Sequence, residues 1–118
     1  MELPELVQKN AEKLIDGLCM RLNNDPGERC LFGYKREGDA FTLYSRQNLD
    51  QQVVTHPVAR FRYCGELGQW SLQNMDEQQH WRVYLNVGPS LNLGQLIVHV
   101  EQDPFGVFRS EPPPPQLA

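Results

Sequence analysis

The hydrophobic positions near the start of the chain recur at steps of three and four residues. They are Leu3, Leu6, Val7, Ala11, Leu14, Ile15, Leu18, Cys19 and Leu22. This spacing is typical of an amphipathic helix that turns one apolar stripe towards a core. Pro4 suits a first helical turn, and the Asn-Asn-Asp-Pro-Gly segment at 23–27 ends the repeat. The pattern therefore predicts a helix over residues 4–23.

The period changes to about two in the middle of the chain, which indicates β-strands. Five strands are predicted, at residues 31–36, 40–46, 58–63, 69–73 and 80–85. Three of the linkers between them are of hairpin length and rich in glycine or acidic residues, so consecutive strands are expected to pair antiparallel as a meander. The longer polar segment at 47–57 is predicted to be a loop that either hangs over a sheet edge or lengthens the second strand.

A second apolar stripe predicts a helix over residues 90–102. Its members are Leu93, Leu96, Ile97 and Val100. The N-cap is either Ser90 or Asn92, since Gln95 follows Asn92 at the spacing of a capping box. The Asp-Pro pair at 103–104 ends this helix. The order helix, five strands, helix predicts an α+β fold of two layers, with both helices on one face of the sheet.

Length and composition predict one globular domain over residues 1–109 and a disordered, proline-rich tail over residues 110–118. A chain of 118 residues with 40% hydrophobic and 22% charged residues has enough apolar surface for one small core. The four consecutive prolines of the tail can join neither a helix nor a central strand.

The amino-terminal residues and the cysteines bear on location. The first residues are acidic and often interrupted by charge, unlike a secretory signal, and no run approaches the length of about 20 apolar residues that crosses a bilayer. The three cysteines, Cys19, Cys30 and Cys64, show neither a disulfide framework nor the spacing of a zinc site. We therefore expect a cytoplasmic protein that does not enter a membrane.

Alternation is clearest in the segment His-Pro-Val-Ala-Arg-Phe-Arg-Tyr-Cys at 56–64, and it divides the sheet into two faces. The predicted inward side chains are Phe41, Leu43, Ala59, Phe61, Tyr63, Trp70, Leu72, Trp81, Val83 and Leu85. The predicted outward side chains are Thr42, Tyr44, Arg46, Val58, Arg60, Arg62, Gln69, Ser71, Gln73, His80, Arg82 and Tyr84. Since this outward set holds no acidic residue, we expect one buried face and one wet, cationic face.

The candidate binding residues are the basic and aromatic members of the outward set. They are Arg46, Arg60, Arg62, Arg82, Tyr44, Tyr84 and His80. This combination suits a phosphate backbone with stacked bases, or an anionic protein segment. The alternative is that the arginines only pair with carboxylates of the turns and keep the face soluble. The net charge of −4 argues against a general affinity for nucleic acid.

The sequence carries no motif that fixes a reaction. It has no glycine-rich phosphate loop, no nucleophile elbow and no His-Glu-x-x-His pair. The histidines lack the spacing of metal ligands, and Cys64 has no histidine or carboxylate at a recognisable distance that would activate it. We therefore predict no catalytic residue, no metal site and no cofactor, and an enzyme is not the expected class.

Several pieces of the chain, which together span nearly all of it apart from the tail, resemble a known family. They are His-Pro-Val-Ala-Arg-Phe-Arg-Tyr at 56–63, Trp70, Trp-Arg-Val-Tyr at 81–84 and Asp-Pro-Phe-Gly-Val-Phe at 103–108. In these pieces the chain resembles a family of small, mainly bacterial proteins that is classed as a domain of unknown function. The resemblance implies no established reaction, cofactor or partner, and so it assigns no catalytic residue.

Two classes of function remain. The first is a non-enzymatic binding or accessory module that uses the basic sheet face for an anionic partner, either a protein or a nucleic acid. The second is a structural interaction protein that forms a homodimer through its sheet, because an open edge strand or a half-polar sheet invites pairing. Salt-sensitive binding of polyanions favours the first class, and a concentration-dependent dimer without such binding favours the second.

Overall fold

One helix precedes the run of strands along the chain, and a second helix follows it. The computed structural model describes residues 3–24, 30–49, 51–103 and 108. The elements in chain order are α1 (Glu5–Asn23), β1 (Leu31–Glu37), β2 (Ala40–Leu49), β3 (Gln52–Cys64), β4 (Gln69–Met75), β5 (Trp81–Val83) and α2 (Leu93–Gln102). The strands form one open antiparallel sheet in the order β1-β2-β3-β4-β5. The predicted α+β meander is therefore confirmed.

Both helices pack against the same face of the sheet. Helix α1 contacts β1 and α2, while α2 also contacts β3 and β4. Apolar side chains of both helices and of the strands share one core, whose largest fully buried members are Phe41, Phe61, Ile15, Leu18, Leu43, Leu72, Leu96 and Val100. We call the sheet face towards the helices the inner face and the opposite one the outer face.

The helix ends follow the sequence signals closely. Helix α1 begins at Glu5 with Pro4 as its N-cap. At α2 the side chain of Asn92 accepts a hydrogen bond of 2.9 Å from the backbone N–H of Gly94, so the second of the two predicted N-caps is confirmed. This helix ends at Asp103, which adopts a left-handed conformation with φ of 44°. The tail predicted over residues 110–118 lies outside the described residues.

The segment at 47–57 is not a loop, which corrects one of the two alternatives. It lengthens β2, as the other alternative proposed, and it also begins β3 six residues earlier than predicted. The two strands stay in register as far as the pair Leu49 and Gln52, so they form one antiparallel hairpin. We call the paired part of this hairpin, residues 46–49 and 52–55, the ribbon.

The prediction for β5 was out of phase by one residue. Tyr84 points into the core and is 3% exposed, whereas Val83 is 55% and Leu85 is 90% exposed. Cross-strand pairing sets this phase, because Val83 lies opposite the outward-facing Gln73. Trp81 shares the phase of Val83 and therefore also lies on the outer face, not in the core. The register across the β4–β5 turn decides on which face the side chains of β5 lie. Alternation within one short strand does not show which of its two faces is the inner one.

Val58 was also assigned to the wrong face. The pairing of β2 with β3 shifts between Leu43 and Tyr44, which lie opposite Ala59 and Pro57. Val58 is thus the extra residue of a β-bulge, and it packs into the core with 6% of its surface exposed. A bulge places two successive residues against one partner and so breaks the simple alternation.

Candidate functional site

The outer face is built from alternate residues of the strands. Both described helices lie on the inner face, so the described part of the chain leaves the outer face uncovered. The strand registers place these side chains on it: Lys35, Glu37, Thr42, Tyr44, Arg46, Arg60, Arg62, Ser71, Gln73, Trp81 and Val83. Four of the seven predicted binding residues are brought together here, namely Tyr44, Arg46, Arg60 and Arg62.

A glutamate lies within this face, which corrects the expectation that it holds no acid. Glu37 was assigned to a turn, but β1 continues through it, and the turn follows at Gly38, whose φ of 64° suits glycine. The carboxylate accepts hydrogen bonds from the Tyr44 hydroxyl at 2.8 Å and from Arg60 Nη2 at 3.4 Å. The hydrogen bond from Tyr44 is the main reason that the pKa of Glu37 is lowered, with the hydroxyl of Thr42 and the charges of Arg60 and Lys35 adding to it.

Arg60 is the most firmly held cation of the outer face. Its Nε donates to Thr42 Oγ1 at 3.2 Å, and its Cζ lies 4.5 Å from the ring centroid of Trp81. The side chain is 24% exposed. Thr42, although it points outwards, is fully buried. Arg60 thus lies flat across the sheet between Glu37 and Trp81, and part of its role is to hold this face together.

Arg62 and Arg82 pair with carboxylates of the turns, as the alternative interpretation of the arginines proposed. Arg62 Nε lies 3.8 Å from Asp39 Oδ1, and both side chains are exposed enough that this long contact is weak. Arg82 Nε donates to Asp76 Oδ2 at 2.8 Å, and this bond is the main cause of the lowered pKa of Asp76. By its register opposite Asn74, Arg82 has the phase of the inner face. It does not join the other arginines.

The two remaining predicted residues also lie apart from the outer face. Tyr84 is buried against Phe108, with ring centroids 4.9 Å apart, and against His99 at 6.2 Å. Among the described residues its hydroxyl has no hydrogen-bond partner. The backbone N–H of His80 donates to the side chain of Asp76, which keeps His80 in the β4–β5 turn. Tyr84 is therefore not available to the outer face, and His80 is an exposed residue of the turn.

A cleft of about 590 Å³ opens beside the edge strand β1. It is lined by Asn23, Leu31, Phe32, Gly33, Tyr34, Lys35, Tyr44, Arg46 and Thr55. Gly33 lies opposite Tyr44, and a Cβ added to it would find no atom within 4 Å, so the missing side chain leaves open space. Lys35 and Arg46 stand on the two sides of this gap, and neither forms an ion pair with a described residue.

Lys35 is the functional candidate that sequence reasoning missed. Alternation in β1 is not strict, so the face of each residue there could not be assigned. The signal that was available is the pairing of β1 with β2, since Lys35 lies opposite the outward Thr42. Together, Lys35 and Arg46 supply two cations and Thr55 supplies a hydroxyl group, while the hydroxyl proton of Tyr44 is donated to Glu37. This set of donors suits anionic oxygen atoms such as those of phosphate or carboxylate.

Other chemistry finds less support in the described residues. Within them, no three His, Cys, Asp or Glu side chains are grouped so as to hold a metal ion. Burial and the charge of Asp16 raise the pKa of the Cys19 thiol to about 11, which disfavours the reactive thiolate. Neither described helix is long and apolar enough to span a membrane.

Fold and site together define an α+β protein with one sheet face under two helices and a cationic cleft on the other. The chain belongs to the family described as Domain of unknown function (DUF3024), whose family model matches residues 3–110. This match confirms the resemblance found in the sequence. A comparison with curated proteins gave no match, and a comparison with solved structures gave none either.

Proposed function

We propose that the protein is a non-enzymatic binding or accessory module whose outer sheet face takes an anionic partner, either a protein segment or a nucleic acid. The cleft beside Gly33 carries this proposal. There Lys35 and Arg46 form no ion pair with a described residue, so an incoming anion breaks no such pair, and the charge of Lys35 acts on Glu37 only from a distance. Both residues belong to paired strands, which fix the relative positions of their backbones.

The two arginines next to the cleft, Arg60 and Arg62, are expected to contribute less to binding than Lys35 and Arg46. Arg62 makes one long, exposed ion pair with Asp39 and can turn towards a ligand at little cost. Arg60 is held by Glu37, Thr42 and Trp81, and it contributes mainly its charge. The outer face has four cations against Glu37 and Asp39, although the whole chain has a net charge of −4. A local excess of positive charge is what steers an anionic partner to one surface.

Fluorescence anisotropy at low salt tests the proposal with two probes, a labelled single-stranded DNA and labelled polyglutamate. The double variant Lys35→Ala with Arg46→Ala removes the two cleft cations. The matched control is Lys9→Ala with Lys13→Ala, which removes the same charge from the exposed side of α1. We expect the cleft variant to bind more weakly than the control.

Measuring the affinity at several salt concentrations gives a second readout of the same experiment. For single-stranded DNA, the loss of two phosphate contacts should reduce the slope of log affinity against log salt by about 1.4. The α1 control should keep the slope of the unaltered protein. The proposal fails if neither probe binds at high micromolar protein, or if both double variants lose affinity equally.

A homodimer is a second candidate, and the outer edge of β5 favours it. Val83 and Leu85 expose apolar side chains there, and Trp81 lies on the same face. An exposed edge strand with apolar side chains invites pairing with a second copy. Sedimentation equilibrium tests this with Val83→Lys beside the unaltered protein. A mass near twice the monomer that this variant abolishes supports the dimer, and a monomer at every concentration rejects it.

We also propose that residues 1–109 act as a single domain in the cytoplasm. The single shared core of both helices and the sheet supports the domain limits. The odd number of cysteines, without the spacing of a disulfide framework, supports a reducing compartment. Limited proteolysis tests the domain limits, since cleavage should begin near residue 110 and leave the remainder intact.

A further inference from the structure

The ribbon extends past its neighbouring strands in the described structure. Strand β1 pairs with β2 only as far as Leu31 opposite Arg46, and β4 pairs with β3 only as far as Gln73 opposite Arg60. Beyond Arg46 and Thr55 the hairpin continues for three more cross-strand pairs: Gln47–Val54, Asn48–Val53 and Leu49–Gln52. The ribbon therefore projects from the sheet as two strands.

The size of this projection matches the major groove of DNA. Three residue pairs at about 3.3 Å per residue extend about 10 Å beyond the sheet. The major groove is about 12 Å wide and about 8.5 Å deep, and it admits a two-stranded ribbon. The ribbon is thus long enough to reach the base edges while the sheet stays outside the groove.

The side chains of the ribbon are of the kinds that read base edges. Its outer surface continues that of the sheet and carries Arg46, Asn48, Val53 and Thr55, all of them exposed. Arginine suits the acceptors of guanine, asparagine suits adenine, and small apolar groups contact the methyl group of thymine. The described residues of the ribbon include no carboxylate, while Asp50 lies outside them.

The same surface is a poor match to a protein partner. Protein interfaces have a core of large aromatic or apolar anchors. Among the ribbon residues whose side chains the structure describes, Val53 is the one large, strongly exposed hydrophobic residue, and the other exposed side chains are mostly amides and hydroxyls. Polar groups that can donate and accept suit base edges better than they suit an apolar contact.

We infer that the ribbon enters the major groove of duplex DNA, while the cleft at Lys35 and Arg46 holds phosphates of the strand beside the groove. This inference rests on the proposed function and deepens it, because it names duplex DNA as the partner. Arg46 lies at the base of the ribbon and lines the cleft, so it links the two contacts.

The test compares two short duplexes of the same mixed sequence by fluorescence anisotropy. In one duplex every cytosine carries a glucosylated hydroxymethyl group at C5, which fills the major groove and leaves the phosphate charge unchanged. We expect the unaltered protein to bind the ordinary duplex at least about 5-fold more tightly than the glucosylated one, which corresponds to the loss of one good base contact.

A shortened ribbon gives a second, independent comparison. Residues 48–53 are replaced by Asn-Gly, so that Gln47 and Val54 close on a two-residue turn. This change removes Asp50, and so electrostatics alone would strengthen the binding of polyanions. We expect at least about 5-fold weaker binding of the ordinary duplex, with single-stranded DNA bound within about 2-fold of the unaltered protein.

The outcomes separate this inference from the proposed function. If the unaltered protein binds both duplexes equally, the ribbon does not enter the major groove. The proposal that the outer face binds an anionic partner is then still valid. Binding of polyglutamate without binding of any DNA also rejects the major-groove inference and keeps the proposed function. A protein that binds none of these probes overturns both. If the shortened variant does not fold, the comparison of the two duplexes still decides.

Discussion

At the scale of single residues, the four predicted arginines have different roles. Arg60 combines a hydrogen bond to Thr42, an ion pair with Glu37 and a stack on Trp81. Arg62 and Arg82 each pair with a turn carboxylate, and Arg46 lines the cleft. A uniform arginine patch therefore describes this surface poorly. Some arginines hold the sheet face together, and others remain for a ligand.

This division predicts different effects of two substitutions on stability. Arg60→Ala removes the stack on Trp81 and a hydrogen bond to the buried Thr42, so the free energy of unfolding should fall by about 1 to 2 kcal/mol. Arg62→Ala removes one long, exposed ion pair and should cost less than about 0.5 kcal/mol. Urea denaturation measures both, and equal losses would contradict the assigned roles.

The pKa of Glu37 should depend on Tyr44. Because folding lowers this pKa, ionised Glu37 stabilises the fold above its unfolded pKa of about 4.3, and this contribution is lost as the pH falls through the folded pKa. Tyr44→Phe removes the main hydrogen bond, so the folded pKa should rise. NMR titration of the carboxyl carbon measures it, with Tyr63→Phe as the control. An unchanged pKa in the Tyr44 variant would rule out this hydrogen bond as the cause.

The buried hydroxyl of Tyr84 has no hydrogen-bond partner in the part of the chain that the structure describes. Tyr84→Phe keeps the ring against Phe108 and removes the unsatisfied group. We expect stability to stay the same or to rise by up to about 1 kcal/mol. Thermal and urea unfolding measure this, and a clear loss of stability would show that the hydroxyl is bonded in solution.

At the scale of elements, the end of α1 protects the edge of the sheet. The side-chain amide of Asn23 donates to the carbonyl of Phe32 at 3.2 Å and accepts from its N–H at 2.7 Å. Both groups of Phe32 therefore point away from β2, where a further strand would bind. The alternation of antiparallel pairing leaves Tyr34 and Arg36 facing the same edge. Asn23 thus occupies one position of a missing strand.

The substitution Asn23→Ala should expose this edge. It leaves two backbone groups of Phe32 without their partner, so we expect a loss of about 1 to 3 kcal/mol in unfolding free energy and more aggregation at high concentration. Asn24→Ala, at the adjacent exposed position, is the matched control. Urea denaturation and light scattering measure the two effects. Identical behaviour of both variants would show that Asn23 does not guard the edge.

Most of the fold was predictable from the sequence, because local periodicity decides it. The steps of three and four residues located both helices, and alternation in β2, β3 and β4 selected core residues from Phe41 to Leu72, with Val58 as the exception. Short linkers rich in glycine and acid gave the antiparallel order. In each of these cases the information lies within a few neighbouring residues.

The errors arose where distant pairing decides the outcome. A bulge opposite Leu43 turned Val58 inwards, and the register with β4 turned Trp81 outwards and Tyr84 inwards. Two residues of the candidate site were missed for the same reason. Neither Glu37 nor Lys35 can be assigned to a face without the pairing of β1 with β2. A one-residue change of register moves every side chain to the other face.

At the scale of the whole molecule, the two faces of the sheet have different roles: the inner face packs into the core, and the outer face is the proposed binding surface. The helices bury one face into a single core, while the other carries a cluster of cations on a chain of net charge −4. The ribbon and the cleft adjoin on that second face through Arg46. This arrangement lets a partner approach the outer face without disturbing the core, because Lys35 and Arg46 are exposed and form no ion pair with a described residue.

An NMR titration of the ¹⁵N-labelled protein with a single-stranded DNA and, separately, with polyglutamate tests directly whether the outer face binds an anionic partner. At least one of them should shift amide signals around the cleft, at Gly33, Lys35, Tyr44 and Arg46. Signals of α1 and α2 should move little. Shifts spread evenly over both faces, or confined to the helices, would contradict the claim that the outer face binds an anionic partner.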